Sequence, residues 1–171
     1  MRTLISEEQL QKRIDELATA ITADYKGKRP VLICVLKGAV LFIADLVRRL
    51  PFDLEIEFMA VSSYGKSTES SGVVRILKDL ETDIKGRHVL IVEDVIDSGL
   101  TLQYLTNSLV ARNPASLETV TLLSKPSRRT AALECRYTGF EIEDEFVVGY
   151  GLDHAEKYRN LPYIGVSDDL D

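Results

Sequence analysis

Two unbroken apolar runs of strand length constrain this chain more than any other feature: Val31–Leu36 and, opening on a histidine, His88–Val92. A strand with one wet face alternates apolar and polar side chains. An uninterrupted run therefore marks a strand covered by helices on both faces, as in parallel sheets. Each run leads through a glycine-bearing turn into a helical stretch: Lys37-Gly38 precedes Ala39–Leu50, and Asp97-Ser98-Gly99 precedes a helix from Leu100 to about Arg112. A third such unit begins at Leu117–Leu123. Strands and helices alternating through short connections predict an α/β fold, with a mostly parallel twisted sheet flanked by helices and right-handed crossovers.

The remaining segments fit one domain over residues 1–171, without internal repeat or linker. Ser6-Glu7-Glu8-Gln9 reads as a capping box, and Leu10, Ile14, Leu17, Ala18 and Ile21 follow at helical spacing, so the chain is expected to open with an amphipathic helix. Leu54, Ile56 and Phe58 alternate with Asp53, Glu55 and Glu57, which predicts a half-exposed strand near a sheet edge with the apolar residues inward. Ser62–Gly72 has Tyr64 as its only large apolar side chain, so a mobile lid loop is expected there, with Val73–Leu77 returning as a partner strand. The tail from Ser167 to Asp171 is expected to fray and is given no function.

With 45% hydrophobic and 28% charged residues, the composition excludes disorder as the state of the whole chain. A net charge of −6 argues against broad electrostatic binding of nucleic acid or anionic membrane. Cys34, Cys135, His88 and His154 lie far apart, which gives no support to a zinc site or disulfide framework. The apolar runs fall short of a membrane span and Met1–Ile5 is too brief for a signal peptide, so a cytoplasmic, reducing compartment is expected.

Chemistry concentrates in residues 93–101. Glu93, Asp94 and Asp97 crowd three carboxylates at the carboxyl end of a buried strand, where ligands bind in open α/β sheets. Like charges at a partly dry site need compensation, so the cluster points to a polyhydroxyl ligand, magnesium, or both. Asp97-Ser98-Gly99-Leu100-Thr101 then supplies short polar side chains, a glycine and the first amides of a helix, the elements of a phosphate cradle. Alone, this turn reads equally as an ordinary helix cap. No G-x-x-x-x-G-K-[ST] motif occurs, and Gly149-Tyr150-Gly151 lacks the third glycine of a dinucleotide fingerprint.

Residues 89–101, VLIVEDVIDSGLT, closely resemble the phosphoribosyl pyrophosphate motif of type I phosphoribosyltransferases. Within that superfamily the chain resembles the bacterial hypoxanthine (6-oxopurine) branch, through Leu36-Lys37-Gly38, Ser63-Tyr64-Gly65, Ser124-Lys125-Pro126, Phe146–Asp153 and Glu156–Pro162. The resemblance implies a magnesium-dependent purine salvage enzyme acting on phosphoribosyl pyrophosphate and hypoxanthine, and on guanine. It also implies a homo-oligomer, dimer or tetramer, and a small C-terminal/N-terminal hood built mainly from residues 140–171.

The same resemblance implies the roles of individual residues. Lys37, Gly38 and Arg159 would bind pyrophosphate, and the Leu36–Lys37 peptide would be cis. Glu93 and Asp94 would face the ribose hydroxyls directly or through magnesium, and Asp153 would ligate magnesium beside the purine. Asp97 would be the general base at the imidazole ring, while Asp97, Ser98, Gly99, Leu100 and Thr101 hold the 5-phosphate. Lys125 would donate to the 6-oxo group, Phe146 would stack on the ring and Val147 would offer backbone groups. Ser63 and Tyr64 would belong to the lid. His154 departs from the pattern, standing where a tyrosine often follows the aspartate. Arg128-Arg129 reads as solvated surface ahead of the alternative, a contact with a neighbouring subunit. A relative acting on uracil or adenine would share residues 89–101 but not the set of Lys125 and Phe146–Asp153. A nucleotide-sensing, RNA-binding regulator of the same fold would need a basic face.

Overall fold

The structure, a computed structural model, describes residues 1–63 and 74–167. Strand β1 (Arg2–Ile5) precedes helix α1 (Glu7–Tyr25), strand β2 (Val31–Leu36), helix α2 (Val40–Val47) and strand β3 (Glu55–Ser63). Then come β4 (Val74–Lys78), β5 (His88–Ile96), α3 (Leu100–Val110), β6 (Ser116–Ser124), β7 (Tyr137–Glu141), β8 (Val147–Val148) and β9 (Ile164–Val166). A six-stranded sheet runs in the order β4-β3-β2-β5-β6-β7, parallel except for the antiparallel edge strand β4.

The two apolar runs occupy the centre of this sheet, and their side chains divide between its faces. Leu32 and Cys34 of β2, with Leu90 and Val92 of β5, pack under α1 and α2 together with Phe42, Leu10 and Ile14. Val31, Ile33 and Val35, with Val89 and Ile91, enter a second core under α3 with Leu102, Leu105 and Leu109. Period-two alternation thus feeds two cores from one run. Truncating a fully buried side chain such as Phe42 to alanine costs about 3–5 kcal/mol.

The capping box forms as expected: Ser6 Oγ accepts from the Gln9 N–H at 3.1 Å, and the Gln9 side chain accepts from the Ser6 N–H at 2.8 Å. Four expectations are corrected. The chain opens with β1 rather than with the helix, and β1 pairs with β9 in a second, three-stranded sheet ordered β1-β9-β8. Helix α2 ends at Val47 rather than at Leu50. Ser62 and Ser63 belong to β3, whose antiparallel ladder with β4 continues to Ser63 opposite Val74. On β3 the inward and outward faces also differ from the alternation, for Ile56 is exposed while Glu57 and Met59 are buried. The helix side of the sheet covers Leu54 and Phe58 only partly, and the side under α3 takes Met59. Thr82 and backbone hydrogen bonds hold the Glu57 carboxyl below its usual range despite burial, which otherwise raises it.

The lid expectation rests on Ser63 and Tyr64: Tyr64 lies outside the described residues, and Ser63 enters only as backbone of β3. Most of the expected tail, residues 168–171, also lies outside them. Among the described residues no helix is long and apolar enough to cross a membrane.

Candidate active site

The carboxyl ends of β2, β5 and β6 deliver three turns to one rim of the sheet, and residues 146–159 lie over them. A cavity of about 350 Å³ between them is lined by Leu36, Lys37, Gly38, Asp94, Val95, Asp97, Lys125, Phe146, Val147, Leu152, Asp153 and Arg159. The Leu36–Lys37 peptide is cis. Gly38 lies so close to Asp94 that a Cβ there would overlap the carboxylate, so only glycine lets this turn reach the end of β5.

At one end of the cavity Lys125 is buried, and its ammonium lies 3.5 Å from Asp97 Oδ1 and 3.9 Å from Asp144 Oδ1. Asp97 Oδ1 is itself buried and accepts no well-formed hydrogen bond among the described residues. A cation and a bare acceptor thus stand side by side, beside an exposed Phe146 ring that meets His154 edge to face at 5.4 Å. A planar ligand carrying one acceptor and one N–H donor would satisfy both groups, and the ring would cover its face.

At the other end, Arg159 donates to the Gly151 carbonyl at 2.7 Å and to Glu156 Oε1 at 2.9 Å, and lies 3.3 Å from Asp153 Oδ1. Lys37 reaches Glu156 Oε2 at 3.3 Å, both side chains being exposed. Solvent-screened pairs of this kind are worth little, so an incoming multivalent anion displaces them at small cost. Between the two ends sits Asp94, preceded on β5 by the buried Glu93. Burial, and then the charge of Asp94, pushes the Glu93 carboxyl well above its ordinary range. Asp94 is raised to about 6, chiefly by burial, although its Oδ1 accepts the Val95 N–H at 2.7 Å.

The Phosphoribosyl transferase domain family matches residues 4–155. This chain belongs to that phosphoribosyltransferase family. It is 55% identical to the hypoxanthine-guanine phosphoribosyltransferase of Bacillus subtilis, over 96% of this chain and 92% of that protein. With the protein of the same name from Mycobacterium tuberculosis it shares 58% identity, over 96% and 85%. A crystal structure of a hypoxanthine-guanine phosphoribosyltransferase from Bacillus anthracis, with a HEPES molecule in its active site, superposes with a TM-score of 0.94 at 51% identity, covering 98% of both chains.

In this phosphoribosyltransferase the cavity gathers Lys37, Gly38, Asp94, Asp97, Lys125, Phe146, Val147, Asp153 and Arg159 from the set expected on sequence. Ser98, Gly99, Leu100 and Thr101 do not line it; they form the turn into α3, with Gly99 at the helix N-cap and Ser98 Oγ accepting the Leu100 N–H at 3.3 Å. The first amides of a helix have no intrahelical acceptors, so this turn offers a separate anion seat beside Asp97.

Glu93 also lies outside the cavity lining, and among the described residues no three acidic, histidine or cysteine groups gather into a metal-binding cluster. Of the expected magnesium ligands, Asp94 and Asp153 line the cavity and Glu93 does not. Asp153 sits on the wall of residues 146–159, where it accepts the Glu156 N–H at 2.8 Å and faces Arg159. The donor chemistry still fits magnesium: adjacent carboxylates on a buried Glu93 and a cavity-lining Asp94 suit an ion that takes one or two carboxylates and completes its shell with water and substrate oxygens.

Three contributors escape sequence reasoning. Arg129, read as solvated, is half-buried and braces the site from beneath: it donates to the Asp97 carbonyl at 3.2 Å and to Ser124 Oγ at 2.8 Å. Asp144 flanks Lys125 and pairs with Arg128 at 3.5 Å. Glu156 holds Lys37 and Arg159 in place. None of these roles follows from local pattern: Glu156 stood only as the start of a landmark stretch, and nothing in the doubled arginine separated a brace from a surface pair.

Proposed function

We propose that this phosphoribosyltransferase moves the 5-phosphoribosyl group from phosphoribosyl pyrophosphate to hypoxanthine, and to guanine, releasing pyrophosphate and forming the purine nucleotide. The observation that carries this reading is the buried Lys125 ammonium beside the bare Asp97 carboxylate oxygen. A 6-oxopurine presents a carbonyl to the first and an imidazole N–H to the second. Adenine offers an amino group where Lys125 needs an acceptor, which sets two donors against each other at a buried site and gives strong discrimination.

In the reaction one imidazole nitrogen of the base forms a bond to the anomeric carbon as the bond from that carbon to the pyrophosphate oxygen breaks. The sugar passes through a state with positive character, and Glu93 and Asp94 next to it favour that charge. Attack acidifies the other imidazole N–H, and Asp97 takes that proton. Lys125 holds the 6-oxo group, Phe146 stacks on the ring and Val147 offers its backbone. The Asp97-to-Thr101 turn seats the 5-phosphate, while Lys37, the Gly38 backbone and Arg159 receive pyrophosphate. Magnesium, held from Asp94 and Glu93 with Asp153 nearby, would supply positive charge to the leaving group. Ser63 and Tyr64 are assigned to a lid that excludes water.

Residues 1–171 are read as one such domain, working in the cytoplasm as a homo-oligomer, dimer or tetramer. Free thiols at Cys34 and Cys135 suit a reducing compartment. Nucleotide formation from phosphoribosyl pyrophosphate and magnesium, with hypoxanthine, guanine, xanthine, adenine and uracil offered separately, tests the reading. Product with hypoxanthine and guanine is expected. Product with adenine or uracil alone would keep the phosphate sites and overturn Lys125 as the base reader, and no product from folded protein would remove the catalytic assignment.

A further inference from the structure

The mechanism leaves unused a polar pair behind the cavity, a buried Tyr150 and a half-buried Asp45. Tyr150 is buried, yet its backbone φ is 50°, between Gly149 at 101° and Gly151 at 100°. A bulky residue holds a left-handed conformation only where its surroundings impose it. Here the phenol hydroxyl donates to Asp45 Oδ2 on α2, and the Tyr150 N–H donates to the Leu161 carbonyl at 2.8 Å.

Asp45 is a fixed anchor. Its carboxylate also accepts from Gln11 of α1 at 3.3 Å and from Arg48 at 2.5 Å, and its carbonyl accepts from Arg49 at 2.9 Å. Arg49 in turn reaches Gln11 at 2.6 Å and Asp15 at 2.5 Å on α1. The phenol is therefore tied to two packed helices at once.

Both ends of this tie lead directly to the cavity. Helix α2 starts from the pyrophosphate turn, because the Val40 N–H donates to the Lys37 carbonyl at 3.1 Å and the Ile43 N–H to that of Ala39 at 3.0 Å. On the other side Tyr150 is followed by Gly151, whose N–H donates to the Arg159 carbonyl at 2.9 Å and whose carbonyl accepts from the Arg159 guanidinium at 2.7 Å. Gly151 lies so near the Gly38 carbonyl that a Cβ on it would overlap that oxygen. The two walls therefore meet backbone to backbone, and a displacement of either is felt at Lys37 and Arg159 together.

We propose that Tyr150 and Asp45 are positioning residues, forming a clamp that sets the spacing between the Lys37–Gly38 turn and the Gly151–Arg159 wall and so shapes the pyrophosphate end of the site. At the purine end Asp97 and Lys125 follow β5 and β6, and Phe146 and Val147 come before the Gly149–Gly151 turn, so the groups that read the base do not lie between this contact and the pyrophosphate end. Losing the clamp should therefore split the two substrates. The assignment of which substrate feels the clamp rests on the transferase reading above; the clamp itself does not.

Tyr150→Phe removes only the hydroxyl, and the KM for magnesium phosphoribosyl pyrophosphate should rise about 5- to 30-fold, with the KM for hypoxanthine within about twofold. Asp45→Asn keeps an acceptor for the phenol and should stay within about threefold of the parent, whereas Asp45→Ala should behave as Tyr150→Phe. The double variant, Tyr150→Phe with Asp45→Ala, should be no worse than the weaker single one, as expected of two ends of a single contact. Equal rises in both KM values, an unchanged phosphoribosyl pyrophosphate KM, or additive losses would overturn the proposal. Amide exchange of ligand-free protein gives an activity-independent reading: Tyr150→Phe should speed exchange at Gly151–Asp153 by about tenfold or more while the centre of the sheet is unaffected. If the parent protein transfers to no base, the transferase reading fails and exchange alone judges the clamp; unchanged exchange ends it.

Discussion

Asp97 and Lys125 stand 3.5 Å apart, yet their substitution should damage different steps. Asp97→Asn keeps shape and polarity but loses the basic oxygen, so kcat should fall about 100-fold or more with both KM values within about threefold. Lys125→Ala should raise the KM for hypoxanthine about tenfold or more and relax rejection of adenine, leaving the KM for phosphoribosyl pyrophosphate nearly untouched. Steady-state kinetics with each substrate varied in turn checks both, and a Asp97→Asn variant of parental kcat would remove the base assignment. These two residues were legible because each stands in a contiguous motif directly after a buried strand. Arg129, Asp144 and Glu156 were not, because what they do depends on a partner that only the fold brings near: the Asp97 carbonyl, the Lys125 ammonium and the pair Lys37 and Arg159. A charged side chain carries no mark of its future neighbour.

At the scale of elements the central sheet was readable and the small one was not. Strands β2 and β5 announce themselves because burial on both faces demands an unbroken apolar run, and α1 does so because its Ser6 capping box meets a helical apolar stripe. Strands β1, β8 and β9 are four, two and three residues long, too short for any periodicity. They are strands only because they pair with each other across the whole length of the chain. The apolar alternation at β3 misled for a related reason: this strand lies one place from the edge, where the side under α3 accepts Met59 and a hydrogen-bonded Glu57 while Ile56 stays exposed. Deleting residues 1–5 unpairs one side of β9 and should raise amide exchange at Ile164–Val166 about tenfold or more. The KM for hypoxanthine should rise with it, since β9 also carries β8, whose Val147 lines the cavity. The central sheet should keep its exchange protection, and a variant with parental exchange at β9 would show that β1 is dispensable.

For the whole molecule, the acid pair makes stability depend on pH in the direction opposite to most carboxylates. Asp94 is raised from about 3.8 to about 6 in the folded state, mainly by burial, so the native protein binds its proton more tightly than the unfolded chain does. Its contribution is therefore complete below about pH 4, declines as pH rises toward 6, and stays lost above that. Elsewhere the sign reverses: Arg112 hydrogen bonds hold Asp79 low, which favours folding as pH rises. Comparing the metal-free parent with Asp94→Asn isolates the first effect. The variant should be more stable by about 1–3 kcal/mol at pH 7.5 in urea unfolding, with the difference vanishing near pH 4, while transferase activity is lost. A variant no more stable at pH 7.5 would mean that the acid pair is not strained in the native state. The order of the small sheet bears on how the protein is made. Its edge strand β1 and its central strand β9 are about 160 residues apart in sequence, so during synthesis β1 must wait unpaired until residues 164–166 have followed. The main sheet can assemble earlier, since its strands end at residue 141. A nascent chain would thus hold its phosphate turns in place before the wall of residues 146–159 arrives to cover them, and competence for catalysis would begin only once β9 has closed the small sheet.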